Sequence, residues 1–215
     1  MAPRFVLGLD LAGPANAPDT AAALFATRGT GLALVELRTG LDDRALLAWL
    51  RGHVPVAGAL VAGLDAPLSY NPGGGDRPGD RALRARLTAA GLPPGSVMAP
   101  TMTRMAYLTL RGMAVARLLQ ATWPDPFVCE THPGGSLVLR GAEAGLVRSL
   151  KRVAGARTAV LAWLATQGVA GLPTRAGDHA VMAAAAALGA HGAARGRAVW
   201  RHAAEPPLHP FDLVC

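Results

Sequence analysis

Hydrophobic positions in this chain come first in short unbroken runs, then at helical spacing, then in runs again. Residues 5–10 read FVLGLD, residues 20–27 form a second apolar run, and residues 31–37 form a third after the turn Arg28, Gly29, Thr30. Short apolar runs bounded by Gly, Pro and Asp predict strands, so the opening reads as a three-stranded meander. Over 41–53, Leu46, Leu47, Trp49 and Leu50 recur at the spacing of one helix face. Asp42 or Asp43 stands near the start, where a carboxylate caps free amides. Residues 60–64 supply a fourth apolar run, dense enough for a central buried strand.

The second half is more broken. Residues 67–79, PLSYNPGGGDRPG, predict a loop, and helices are expected over about 80–90 and 104–121, separated by the Pro-rich segment GLPPGSVMAPTM. The run PFVCE predicts a fifth strand. After it come a short irregular piece around HPGGSLVL, helices over about 156–166 and 178–189, and a final segment, GRAVWRH, read as a short strand or an ordered tail. No repeat, coiled coil or domain linker interrupts the chain. Three strands, a helix and a strand is the opening of the ribonuclease H-like fold, in which the first and fourth strands lie side by side. The expectation is one α/β domain over residues 1–215. It has a mixed five-stranded sheet of order 3-2-1-4-5 flanked by helices, and a loop and helical insertion at about 67–122.

Acids sit at the ends of these runs. Asp10 closes FVLGLD, Asp65 closes ALVAGLD and Glu130 closes PFVCE, so three carboxylates are expected at the carboxyl ends of strands, where open α/β sheets bind ligands. Aspartate is disfavoured inside a strand. A hydrogen bond to the following turn is one reason for it; a metal ion that relieves mutual repulsion is another. GLDLAGP at 8–14 and GLDAPLSY at 63–70 repeat the pattern. In CETHPGG, Glu130 and His132 would share one face of a strand, suited to a metal or a proton relay. The alternative pairs Glu130 with an arginine and His132 with the proline turn. Asp178 in AGDHAVMAAAAALGA is a natural helix N-cap that could also serve a cation.

Composition narrows the classes. With 215 residues and 51% hydrophobic content the chain can bury a full core. No apolar stretch reaches the roughly 20 residues of a membrane span, and the start lacks a basic region with a cleavage site, so a soluble, cytoplasmic protein is expected. Cys129 and Cys215 suggest neither a disulfide framework nor a cysteine zinc site. The net charge of +7 rests on arginine, since Lys151 is the only lysine. Such a surface attracts polyanions, although an arginine-rich composition produces it without any selected partner. Arg81 and Arg84, on one helical face, and Arg77 before them could clamp a phosphate backbone, or pair with Asp76 and Asp80 instead. Lys151 is a further candidate phosphate contact.

Taken in order, GLDLAGP, GLDAPLSY with RPGDRALRARL, ETHPGGSL, LKRVAGARTAVLAWL and GDHAVMAAAAAL resemble the family DUF429, predicted nucleases of ribonuclease H-like fold. The resemblance spans nearly the whole chain. It carries the family's acids onto Asp10, Asp65, Glu130 with His132, and Asp178, and its Arg-x-x-Asp-Arg segment onto Arg77, Asp80 and Arg81. It implies hydrolysis of a nucleic-acid phosphodiester by two Mg²⁺ or Mn²⁺ ions about 3.5–4 Å apart on the four carboxylates, with Asp10 bridging. One departure is Met182, at a place where similar sequences often carry a second Asp, so that Asp178 or His179 would supply that ligand. A catalytically inactive nucleic-acid-binding domain and an ATP-dependent phosphotransferase of the same superfamily are the rival readings. Against the second stand the chain length and the lack of an adenosine-binding Gly motif; separately, Gly73, Gly74 and Gly75 form no phosphate-loop pattern.

Overall fold

The computed structural model describes residues 4–215. Strands β1 (Phe5–Asp10), β2 (Ala21–Arg28) and β3 (Gly31–Thr39) form the antiparallel meander. After helix α1 (Asp43–His53), β4 (Leu60–Asp65) returns parallel to β1. Helices α2 (Pro78–Ala89) and α3 (Thr103–Thr122) then lead to β5 (Phe127–Thr131), parallel to β4. Helices α4 (Pro133–Leu139), α5 (Ala144–Ser149) and α6 (Ala154–Thr166) follow, then β6 (Val169–Ala170), α7 (Asp178–Ala194), β7 (Arg201–His202) and β8 (Leu213–Val214).

The fold is α/β, with a mixed sheet flanked by helices. The sheet has eight strands in the order β6-β3-β2-β1-β4-β5-β8-β7, and not the five expected. The expected order 3-2-1-4-5 lies intact within it. The additions, β6, β7 and β8, are two residues each, too short to carry a period that sequence could reveal. The piece around HPGGSLVL, expected to be irregular, is helix α4. Pro133 occupies its first turn, where a missing N–H costs nothing, and His132 caps it by accepting from Gly135 N. No helix among the described residues is long and apolar enough to cross a membrane.

Alternation along the strands builds a core on each side of the sheet. Leu7 and Leu9 of β1 with Leu60, Ala62 and Leu64 of β4 face α1 and α3, where Leu50, Leu119 and Trp123 are buried. Val6, Val61 and Cys129 face the other way, toward α7. There Gly8 and Gly63, which are register partners, leave the sheet surface bare. A Cβ at Gly8 would stand 1.9 Å from the Ala183 carbonyl oxygen, and one at Gly63 would stand 2.6 Å from that of Ala186. Together with the fully buried stretch of alanines 183–187, this lets the α7 backbone lie directly on β1 and β4. The start of α7 is thereby held beside the end of β1.

On the other side, Arg111 of α3 ties down the turn after β1. Its guanidinium donates to the carbonyls of Ala12 and Leu41 at 2.8 Å each, to Thr20 Oγ1 at 2.6 Å and to Asp43 Oδ1 at 2.8 Å. α1 is capped by Asp42, whose side chain accepts from Ala45 N at 2.7 Å.

Candidate functional site

Asp10 and Asp65 end parallel neighbouring strands as direct register partners, so two carboxylates 55 positions apart in sequence stand side by side. Asp65 is the more confined. Burial, then the charges of Asp10 and Glu130, hold its pKa well above the usual carboxylate range, and no hydrogen bond offsets them. Asp10 is also pushed up, first by burial and further by the charges of Asp178 and Asp19; a contact with His179 opposes the rise. His179 Nδ1 lies 2.7 Å from Asp10 Oδ2, a geometry in which the ring donates to the carboxylate. That bond is the main reason the His179 pKa is raised. The pair sits at an edge open to solvent, with the His179 side chain 37% exposed and that of Asp10 14%.

Glu130 has a different environment. Arg77 grips it with two parallel bonds, Nη1 to Oε2 at 2.7 Å and Nη2 to Oε1 at 2.6 Å, and Leu68 N donates to Oε2 at 2.8 Å. The same guanidinium holds Asp80 through Nε at 3.0 Å and Nη2 at 2.7 Å, and reaches Ser69 Oγ at 3.0 Å. All three charged residues are buried. Desolvation alone would make Arg77 easier to deprotonate, but the two carboxylates more than reverse this and raise its pKa. The network joins β5, the start of α2 and the loop after β4, and so fixes the loop that follows Asp65.

Between these elements opens a cleft of about 520 Å³. Asp10, Asp65, Glu130 and Arg77 are on its polar side. Apolar side chains from several elements make up much of the rest, among them Leu11, Leu83, Val97, Met105, Leu108 and Met182. Exposed Arg148 is also at the cleft. The model of the family described as "Protein of unknown function (DUF429)" matches residues 8–206. The chain belongs to the DUF429 family. A search of curated proteins finds no match, and a search of solved structures finds none.

In this DUF429 chain the residues expected at the site divide into three groups. Asp10, Asp65 and Glu130 come together at the cleft, as does His132. His132, however, has both ring nitrogens committed: Nδ1 accepts from Gly135 N at 2.9 Å, and Nε2 lies 2.9 Å from the Ser96 carbonyl oxygen, to which it donates. Burial lowers its pKa, so the ring is neutral. Asp178 is the first residue of α7 rather than its cap, which is Gly177, and it lies beside the cleft, not in its wall. Its charge nevertheless acts on both Asp10 and His179.

The basic residues are more dispersed. Arg84 is held by Asp76 through bonds of 2.6 and 2.7 Å and by the Val97 carbonyl, while Arg81 donates to the Asp76 carbonyl at 2.9 Å. Neither is in the cleft wall, and Lys151 is exposed away from it. Arg77 is there, but its donors serve Glu130 and Asp80. The basic group at the cleft of the DUF429 chain that remains exposed, Arg148, had no distinguishing motif. Among the described residues, no group of three or more His, Cys, Asp or Glu side chains is arranged to hold one ion in common.

Proposed function

We propose that the protein is a Mg²⁺- or Mn²⁺-dependent phosphodiester hydrolase of ribonuclease H-like fold acting on nucleic acid, with Asp10 and Asp65 as its metal-binding pair. The observation that carries this reading is the in-register pairing of two confined carboxylates at parallel strand ends, one of them lacking any hydrogen-bonding partner that would offset its burial. Such a pair is unfavourable alone and is relieved by a hard cation. Mg²⁺ commonly takes one or two protein carboxylates and fills its shell with water and phosphate oxygens. When bound there, such an ion would polarise a phosphoryl oxygen and lower the pKa of a bound water. A second ion on Glu130 would require Arg77 to release that side chain.

The remaining residues have supporting tasks. His179 orients the Asp10 carboxylate through Oδ2, so that Oδ1 would be available to a cation. Arg77 and Leu68 N fix Glu130, whose negative charge keeps the cleft floor attractive to cations. Exposed Arg148 is available to a phosphate, and the net charge of +7 draws polyanions toward the protein.

The test is hydrolysis of single- and double-stranded DNA and RNA in Mg²⁺ or Mn²⁺, against the same reactions in EDTA. Metal-dependent cleavage reduced at least 100-fold in both Asp10→Asn and Asp65→Asn is expected. Cleavage that survives both substitutions would reject the reading. Binding of nucleic acid with no turnover would favour the inactive binding domain.

A further inference from the structure

The cleft beside Asp10 and Asp65 has room for a small molecule. Its volume of about 520 Å³ is that of a small-molecule site. A duplex, or a run of stacked nucleotides, requires an open groove lined by cations; in the cleft wall itself the basic group that remains exposed is Arg148. The body of the cleft is instead apolar, and three of its side chains are thioethers, Met98, Met105 and Met182. Thioether sulfurs make favourable contacts with aromatic rings.

We infer that the cleft takes a single nucleotide unit. Its phosphate lies at Asp10 and Asp65, and its base sits among the methionines. The inference rests on the hydrolase reading and narrows it. The substrate is a mononucleotide, a strand terminus or a nucleotide drawn out of its stack, since enzymes that act inside a duplex reach an enclosed pocket by extruding one unit. The interior of an undistorted duplex is excluded.

The experiment measures binding and cleavage separately, on the full chain. Calorimetric titration with the nucleoside monophosphates of the four bases in Mg²⁺ should give saturable one-to-one binding for at least one base. The corresponding nucleoside should bind more weakly and without any metal requirement. Met105→Trp, which fills the cleft from one wall, should weaken nucleotide binding at least tenfold while leaving the melting temperature within a few degrees. Absence of saturable binding by every nucleotide overturns the inference, as does Met105→Trp that melts like the parent and binds unchanged. Cleavage within a closed circular duplex, unaffected by Met105→Trp, also overturns it while leaving the hydrolase reading intact. One-to-one nucleotide binding that Met105→Trp abolishes, with no metal-dependent hydrolysis of any nucleic acid, supports the pocket and rejects the hydrolase.

Discussion

Replacing Arg77 with methionine tests whether the buried network holds the loop after Asp65. The change keeps an unbranched side chain of partly similar length and removes every donor. Five contacts of 2.6–3.0 Å are lost, to Glu130, Asp80 and Ser69. Two carboxylates, on residues 6% and 2% exposed, are left without their shared cation. Removing one member of a buried ion pair typically costs about 3–5 kcal/mol, mostly because the other charge is stranded. At about 2–4 °C per kcal/mol for a chain of this size, the melting temperature should fall by about 6–20 °C. Urea unfolding at pH 7 with calorimetric melting measures both quantities. Two internal checks separate stranded charge from lost packing. First, adding Glu130→Gln and Asp80→Asn to Arg77→Met should recover a large part of the loss. Second, the stranded carboxylates should take up protons more readily folded than unfolded, so the deficit of Arg77→Met should shrink as pH is lowered from 7 toward 4. A loss below about 1 kcal/mol, or a deficit that grows on acidification, would refute the reasoning, since both follow from charge left in a dry site.

Three further outcomes are expected. Gly63→Ala drives a methyl group to 2.6 Å from the Ala186 carbonyl oxygen and 2.8 Å from the Ala190 methyl, so overpacking should cost about 1–3 kcal/mol in urea unfolding. An unchanged midpoint would mean that α7 moves away freely. Asp65→Asn should raise the melting temperature in metal-free buffer at neutral pH. The folded-state pKa of Asp65 lies above its unfolded value, so the folded form binds the extra proton and the parent loses stability as pH rises through that interval. The advantage of the variant should close toward pH 4, and an advantage that widened there would contradict the assigned sign. Mg²⁺ at 100 times its dissociation constant should stabilise the parent by about 2.7 kcal/mol and leave Asp10→Asn unaffected in a thermal melt; equal shifts in both would place the ion elsewhere.

The central sheet was legible because its strands are continuous apolar runs closed by a polar residue, a pattern local enough to read. The pairing of Asp10 with Asp65 followed from the order of elements, since a fourth strand returning through a helix settles beside the first. The helix at 133–139 was hidden by the consecutive Gly134 and Gly135, which argue against helix on propensity; packing of Leu137 into the core and the His132 cap outweigh them. The role of Glu130 was divided between metal and arginine, and no local pattern could decide it, because Arg77 lies 53 positions away. The cleft walls were equally hidden. Val97, Met105 and Met182 read as ordinary apolar residues, and only the fold shows that they surround one space.

The contact between Asp10 and His179 joins residues 169 positions apart. One partner ends the first strand and the other opens the last long helix, so almost the entire chain must be synthesised before both exist. Contacts of such separation close late and make folding slow, because their loop entropy is lost before the contact repays it. A chain that ends before α7 lacks the helix that covers Gly8 and Gly63, and it leaves Asp10 without its orienting partner. Any chemistry at this site therefore waits on docking of the last helix, which brings His179 to Asp10.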